Sequence, residues 1–157
     1  LIHPEWSIRT AIAGRPRFAN MERYAPIEGV QPLARYMSSQ VTGRFDWEEL
    51  KKLRDRWKGK LVPKGLLAAE DAVMAKEIGC DGVVVSNHGG RQLASLPASI
   101  EVLPEIRAAV GPDFPLILDS GIRSGEHIIK ALACGADFVL VGRAMMYAVA
   151  GLGAKGP

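Results

Sequence analysis

The stretch SNHGGRQL, residues 86–93, follows directly on the apolar run DGVVV. It combines side chains that can do chemistry: an imidazole exchanges protons near neutral pH, and a guanidinium binds anions. Gly89 and Gly90 allow the backbone to turn tightly and a ligand to approach closely. His88 could instead be a turn histidine that only caps the next element. The residues that follow other apolar runs are needed to decide between these interpretations.

Three further apolar runs in KLVPKG, PLILDSG and DFVLVG also end in polar residues or glycine. A repeated pattern of this kind favours a common site over four unrelated turns. The residues after the runs are Lys64; Ser86, Asn87 and His88; Asp119, Ser120, Gly121 and Arg123; and Gly142 and Arg143.

The runs are apolar at almost every position, which is typical of strands buried on both faces. Helical stretches over about 68–79, 98–109 and 124–134 separate them, so we expect an α/β fold with parallel βα units. Upstream, FDWEELKKLRDRW predicts a helix that Asp46 caps, with Trp47, Leu50, Leu53 and Trp57 at helical spacing.

The βα units also repeat. A shift of 56 positions superimposes Glu70 on Glu126, Ala75 on Ala131, Gly79 on Gly135, Asp81 on Asp137, Val83 on Val139 and Val85 on Val141. Repeated βα units indicate a (β/α)8 TIM barrel, which takes about 250 residues and eight strands. The chain carries about the last four units of such a barrel. Because barrel chemistry lies at the C-terminal ends of the strands, the polar residues after the apolar runs are the candidate site.

Composition narrows the classes of partner. The chain has 157 residues, 48% of them apolar and 24% charged, and no apolar run approaches the roughly 20 residues of a membrane helix. The net charge of +3 is spread out, so nucleic acid is not an expected partner. Cys80 and Cys134 have no metal-ligand spacing, and we interpret both as buried reduced thiols in a cytoplasmic protein. No metal site is predicted.

Residues 1–40 differ from residues 41–157. They contain Arg9, Arg15, Arg17, Arg23 and Arg35 but no lysine, and prolines at 4, 16, 26 and 32 interrupt long helices. The chain starts at Leu1 without the pattern of a signal peptide, which we interpret as an excised or processed piece. We expect residues 1–40 to be a long connection and residues 41–157 to be the half barrel.

The motifs VPKG, SNHGGRQL, DSGIRSG and VGRAMMYAVAG resemble the FMN-dependent 2-hydroxy-acid oxidases and dehydrogenases in order and spacing. HPEWSIRTAIAGRPRFAN is similar to the connection after the fourth strand in the L-lactate and mandelate dehydrogenase branch. The resemblance implies an FMN-dependent oxidation of a small L-2-hydroxy acid, with L-lactate or L-mandelate ahead of glycolate. The alternatives are another FMN barrel, such as a type 2 isopentenyl diphosphate isomerase, and an inactive barrel fragment.

The resemblance also implies roles for individual residues. His88 would be the catalytic base, and Arg91 would bind the substrate carboxylate through two hydrogen bonds. Lys64 would place a positive charge near N1 and O2 of the flavin, and Ser86 would add a polar contact. The remaining cofactor-binding residues would surround the ribityl chain and the phosphate, and these are Asp119, Ser120, Gly121, Ile122, Arg123, Gly142 and Arg143.

The remaining histidines and one apolar group are not expected to belong to the site. We expect His127 on a helix surface, His3 in a turn, and the group Met145, Met146 and Tyr147 packed against the last strand. Two positions depart from the family pattern: Ala94 replaces a frequent aspartate, and Ser124 replaces a frequent second arginine.

The first half of the barrel would supply the other substrate and cofactor contacts. A half barrel by itself exposes two sheet edges, so we expect this chain to be inactive and poorly folded without the N-terminal half. The resemblance further implies a tetramer and an electron acceptor that is a quinone, a cytochrome or oxygen. Residues 1–40 suit either attachment to the inner face of a membrane, through Trp6, Ile8, Ile12, Phe18 and Tyr24, or a loop packed on the barrel or a neighbouring subunit.

Overall fold

The computed structural model describes residues 4–14, 19–22, 35–36, 38–39 and 45–155, in two compact units, Leu1–Asp46 and Trp47–Pro157. In the first unit, helix α1 spans Pro4–Ala13 and helix α2 spans Ala19–Glu22. The side chains of Trp6 and Ile12 on α1 are exposed. Other residues named above lie outside the described ranges: His3, Arg15, Arg17, Phe18, Arg23 and Tyr24. The boundary at residue 40 stays a prediction.

The second unit alternates helices and strands, as the pattern predicts. Its elements are α3 (Trp47–Arg56), β1 (Lys64–Leu66), α4 (Ala69–Glu77), β2 (Val83–Val85), a 3-10 turn (His88–Gly90), α5 (Ser99–Val110), β3 (Leu116–Leu118), α6 (Gly125–Ala133), β4 (Phe138–Val139), α7 (Arg143–Leu152) and a second 3-10 turn (Gly153–Lys155).

The strands form one parallel sheet in the order β1-β2-β3-β4. Val83, Val84 and Val85 pair with Leu116, Ile117 and Leu118 in regular register. Because neighbouring strands are consecutive in sequence and parallel, all their C-terminal ends lie at one edge of the sheet. This edge holds the residues predicted to form the site.

Strand β1 differs from its prediction in one respect. Lys64 opens the strand and does not end it, and the register shifts between Lys64 and Leu66. Pro63 has no N–H to donate, yet its carbonyl accepts a hydrogen bond from the Val84 amide at 2.8 Å. The sheet therefore begins beside a proline, and the irregularity falls after the lysine.

The core lies between the sheet and helices α4 and α5. Its fully buried members include Ala72, Ala75, Val83, Val85, Leu103, Ile106, Leu116 and Leu118. On helix α3 only Leu50 is buried, while Leu53 is exposed and Trp57, also exposed, lies after the helix ends at Arg56, so the buried apolar face is narrower than the predicted spacing indicates. Cys80 is buried, and burial raises the pKa of its thiol. Cys134 is only half-buried, so the expectation of two buried thiols is wrong for Cys134.

The β4 end of the sheet is far more exposed than its apolar sequence predicts. The side chain of Phe138 is 60% exposed, and helix α7 has no buried residue. Met145, Met146 and Tyr147 are exposed as well, so the expectation that they pack against the last strand is wrong. In the described part of the chain, β4 pairs only with β3, which leaves its outer side without a covering element.

Two arginines tie the helices to the N-terminal ends of the strands. Arg107 of α5 donates to the carbonyls of Gly111, Pro112, Phe114 and Gly135, and its Nη2 lies 2.6 Å from Asp137 Oδ2. The Leu116 amide donates to the same carboxylate oxygen at 2.7 Å. Arg54 of α3 contacts Asp81 at 3.1 Å in the equivalent way, and the Leu61 amide donates to Asp81 at 2.9 Å.

Candidate functional site

The C-terminal ends of the strands surround one cavity of about 390 Å³. Every predicted site residue except Ser86 lines it, and Ser86 lies fully buried beneath. The sequence analysis did not assign the apolar lining residues Leu140, Val141 and Met146 to the site. The lining is Lys64, His88, Gly89, Arg91, Asp119, Ser120, Gly121, Ile122, Arg123, Leu140, Val141, Gly142, Arg143 and Met146.

Lys64 is held by partners from two other strands. Its Nζ lies 2.7 Å from Asp119 Oδ2, after β3, and donates to Ser86 Oγ, after β2, at 2.9 Å. Burial raises the pKa of the Asp119 carboxyl. Hydrogen bonds from Lys64, Ser86 and Ser120, together with the charge of Lys64, lower this pKa by more than burial raises it. The pKa of Asp119 therefore lies below its usual value. Asp119 thus stays ionised at neutral pH and fixes the ammonium group at the cavity wall.

His88 follows β2 in a strained turn. Its φ of 57° is in the left-handed region, and its backbone amide donates to Ser86 Oγ at 3.1 Å. The imidazole lies over Gly65 of β1, where an added Cβ would come within 2.6 Å of His88 Cε1. Only glycine at position 65 leaves room for the ring. Gly65 was not among the predicted site residues, although its position directly after Lys64 was a usable signal.

The loops after β2 and β3 are linked by hydrogen bonds. The Gly89 amide lies 3.0 Å from both Asn87 Oδ1 and Ser120 Oγ, and Ser120 Oγ donates to Asp119 Oδ1 at 2.8 Å. The Asn87 amide donates to Ser99 Oγ at 3.0 Å, at the start of α5. These bonds connect the histidine turn to the network that holds Lys64.

Arg91 follows the turn and lines the cavity with an exposed side chain. Its backbone amide donates to the His88 carbonyl at 3.4 Å, whereas its guanidinium has no hydrogen-bond or ion-pair partner within residues 45–155. A guanidinium in this state can bind an incoming carboxylate without first losing another partner.

The far side of the cavity combines cations with backbone donors. Arg143 opens helix α7, and its Nη2 donates to the Gly89 carbonyl at 3.1 Å. The guanidinium of Arg123 lies 5.9 Å from the centre of the Tyr147 ring. Gly121 and Gly142 carry no side chain there, and nothing lies within 4 Å of an added Cβ at either. This side of the cavity therefore offers donors that fit a phosphate group: backbone amides beside the two glycines, two guanidinium groups and the N-terminus of α7.

Ile122 and His127 both lie at the loop that includes Gly121. Ile122 is buried and is also among the residues that line the cavity. His127 was expected on a helix surface; it lies on α6 and is half-buried, and its Nδ1 lies 3.2 Å from the Gly121 carbonyl oxygen. It lines a neighbouring cavity of about 430 Å³, which shares Ser120, Gly121 and Ile122 with the first.

Within the described ranges, no group of three or more His, Cys, Asp and Glu side chains could hold a metal ion. Nor is any helix among those residues long and apolar enough to span a bilayer.

Comparison with known sequences gives a consistent set of relatives. A family model described as FMN-dependent dehydrogenase matches residues 1–157. The chain is 41% identical over 158 residues to an L-lactate dehydrogenase of Acinetobacter baumannii, covering 99% of this chain and 41% of the relative. It is 40% identical over 156 residues to an L-lactate dehydrogenase of Bartonella tribocorum, covering 98% of this chain and 41% of that protein. The chain therefore spans about 41% of the length of these curated relatives.

Solved structures agree. A crystal structure described as the monotopic membrane protein (S)-mandelate dehydrogenase superimposes with a TM-score of 0.88 at 44% identity, over 98% of this chain and 40% of the other. A mandelate oxidase structure with benzoylformic acid gives 0.68 at 47% identity, over 71% of this chain and 33% of the other. With the parallel strand order, this likeness confirms the α/β fold and the expectation of a partial TIM barrel.

Proposed function

Because the chain belongs to the FMN-dependent dehydrogenase family, we propose that it forms part of an enzyme that uses FMN to oxidise a small L-2-hydroxy acid. The product is the 2-oxo acid, and L-lactate and L-mandelate are the favoured substrates. The observation that carries this proposal is one cavity in which His88, Arg91 and Lys64 meet the glycine and arginine residues after β3 and β4.

In this proposal one group of residues acts on the substrate and another on the flavin ring. Arg91 binds the substrate carboxylate, and His88 takes up the proton that the substrate releases during oxidation. Bound FMN supplies the acceptor for the two electrons. Lys64 presents its charge to the flavin ring, and Ser86 and Asp119 hold the ammonium in position.

The residues present fit the phosphate end of FMN. Gly121, Arg123, Gly142 and Arg143 would hold the phosphate through backbone amides and guanidinium groups. Ser120 and Ile122 would contribute from the same loop, Ser120 by its hydroxyl and Ile122 by its backbone.

The chain needs a partner for the rest of the barrel. Strands β1 and β4 are the edges of the described sheet, and the exposed Phe138 lies on β4. We propose that the N-terminal half of a barrel pairs with these edges and closes the cavity, and that this chain is inactive without it. A cooperative unfolding transition with bound flavin from this chain alone would contradict that.

Residues 1–40 are proposed to attach the enzyme peripherally to the inner face of a membrane, from the cytoplasm. One similar structure is described as a monotopic membrane protein, and Trp6, Ile8 and Ile12 of α1 are exposed. Deletion of residues 5–36 should abolish co-sedimentation with anionic lipid vesicles. Unchanged co-sedimentation would reject the attachment. The tetramer and the choice among quinone, cytochrome and oxygen stay predictions.

The experiment that tests the oxidation is the visible spectrum of the complete barrel protein, recorded without oxygen. L-lactate, L-mandelate and glycolate are added in turn. We expect bleaching of the bound flavin with L-lactate or L-mandelate. Bound flavin that none of the three acids reduces would contradict the proposal and favour an isomerase-type barrel.

A further inference from the structure

His127 holds the two ends of a short loop in the candidate site. It is the third residue of α6, and its Nδ1 lies 3.3 Å from the Arg123 amide nitrogen and 3.2 Å from the Gly121 carbonyl oxygen. The same turn of helix is capped by Ser124 Oγ, which accepts a hydrogen bond from the His127 amide at 3.4 Å. One ring nitrogen therefore contacts both ends of the Gly121–Arg123 loop.

Either neutral form of the ring keeps one of these contacts. With the proton on Nε2, Nδ1 accepts from the Arg123 amide; with the proton on Nδ1, it donates to the Gly121 carbonyl. The contact is significant because the loop lacks regular secondary structure. Ser120 and Gly121 both have left-handed backbones, with φ of 78° and 77°.

His127 is not among the residues that line the first cavity. Gly121 and Arg123 line the cavity that contains Lys64 and His88, whereas His127 lines the neighbouring cavity and does not line the first. The imidazole therefore contacts the backbone of the loop without lining the first cavity itself.

We propose that His127 is a positioning residue that orients the Gly121–Arg123 loop for the terminal phosphate of the flavin. The proposal rests on the proposed function, because it assumes that this loop binds the phosphate of FMN. It assigns His127 no contact with the flavin and no part in proton transfer.

The test compares FMN with riboflavin, which has the same ring system but no phosphate. Flavin is removed from the complete barrel protein, and the dissociation constants of both flavins are measured by fluorescence quenching. His127→Asn keeps a polar amide near the position of Nδ1, His127→Gln moves the amide toward Nε2, and His127→Leu removes it. The thermal midpoint of each flavin-free variant monitors folding.

We expect His127→Leu and His127→Gln to weaken FMN binding about fivefold, the effect of one hydrogen bond, and His127→Asn to stay within about twofold. Riboflavin binding should not change in any variant. If His127→Leu does not fold, His127→Gln carries the comparison.

Two results would overturn the proposal: an unchanged FMN affinity in the folded Leu and Gln variants, or an equal loss of FMN and riboflavin affinity. A parent protein that binds neither flavin would instead overturn the proposed function. The two failures are therefore distinguishable.

Discussion

The two ends of the sheet use charged residues in opposite ways. At the N-terminal end, the guanidinium of Arg107 is surrounded by four backbone carbonyls and Asp137. At the C-terminal end, Arg91, Arg123 and Arg143 all line a cavity, and the Arg91 guanidinium has no partner within residues 45–155. What an arginine already contacts thus distinguishes a structural residue from one available to a ligand.

The two repeated βα units are alike at the N-terminal ends of their strands and differ at the C-terminal ends. Asp81 and Asp137 correspond across the 56-residue shift, and both accept a hydrogen bond from an arginine and from a backbone amide, that of Leu61 before β1 and that of Leu116 on β3. Past the strand ends the correspondence is lost, since Ser86 maps onto Gly142 and His88 onto Ala144. The two units share what holds the strands and differ in the residues that could do chemistry.

The largest effect is expected at the C-terminal end, for His88→Gln. Glutamine keeps polarity and similar volume but cannot serve as a base near neutral pH, so flavin reduction by the hydroxy acid should slow by about 10²- to 10⁴-fold. Stopped-flow absorbance without oxygen measures the rate. A reduction rate within about threefold of the parent would remove His88 from the proton transfer.

At the N-terminal end, Arg107→Met should act on stability alone. It removes the donor for four carbonyls and the partner of Asp137, so the free energy of unfolding should fall by about 3 kcal/mol. Urea denaturation of the complete barrel protein measures this, and Lys51→Met, which breaks an exposed pair with Glu48, should cost less than about 0.5 kcal/mol. An equal loss in both variants would contradict the role given to Arg107.

The substitution Gly65→Ala, beside His88 in the candidate site, is compared with Gly79→Ala outside it. The new Cβ would overlap the imidazole of His88, so turnover should drop about tenfold or more as the ring is displaced. Gly79→Ala is the matched control, because Gly79 also has a positive φ, of 91°, but its nearest neighbour, Arg54 Cδ, is 3.9 Å away. Both variants should lose stability from backbone strain, while only Gly65→Ala should lose turnover. Equal turnover in the two would show that the ring is not constrained by Gly65.

The smallest effect concerns acid stability. The folded-state pKa of Asp119 is lowered, so its ionised form stabilises the fold above the unfolded value of about 3.9, and this contribution is lost as the pH falls through the folded pKa. In urea denaturation between pH 3 and 6, Asp119→Asn should therefore flatten the loss of stability toward low pH. The pKa of Asp81 is also lowered, chiefly by its hydrogen bond from Lys60, so Asp81→Asn should likewise flatten the loss of stability toward low pH.

Flavin affinity distinguishes these two aspartates. Asp119→Asn should weaken flavin binding because it releases Lys64, whereas Asp81→Asn should leave the affinity unchanged. A flavin affinity that changes equally in both would contradict the separation of the two ends.

The sequence predicted the elements that depend on local pattern. The helix bounds near 69–77, 99–110 and 125–133 and the parallel strand order follow from apolar periodicity, and the site residues follow from their place after each strand. The start of β1 at Lys64 was missed because its pairing with Val84, on the next strand, sets it. The contact of His127 with the Gly121 carbonyl was missed because a backbone acceptor leaves no mark in the side-chain pattern.

Exposure at β4 and α7 could not be predicted either. Phe138 and Met146 have apolar side chains, and apolar periodicity alone treats such positions as buried. Burial depends on which surface lies opposite, and that surface is not encoded near these residues in the sequence.

The most direct test of the separation between the two ends is the FMN dissociation constant of Arg143→Met beside that of Arg107→Met, in the complete barrel protein at a temperature where both are folded. Removal of the cation proposed to bind the phosphate should weaken FMN binding about tenfold or more in Arg143→Met. Arg107→Met should bind FMN as the parent does, despite its lower stability. Equal losses of affinity, or a loss only in Arg107→Met, would contradict the assignment of binding to the C-terminal end and stability to the N-terminal end.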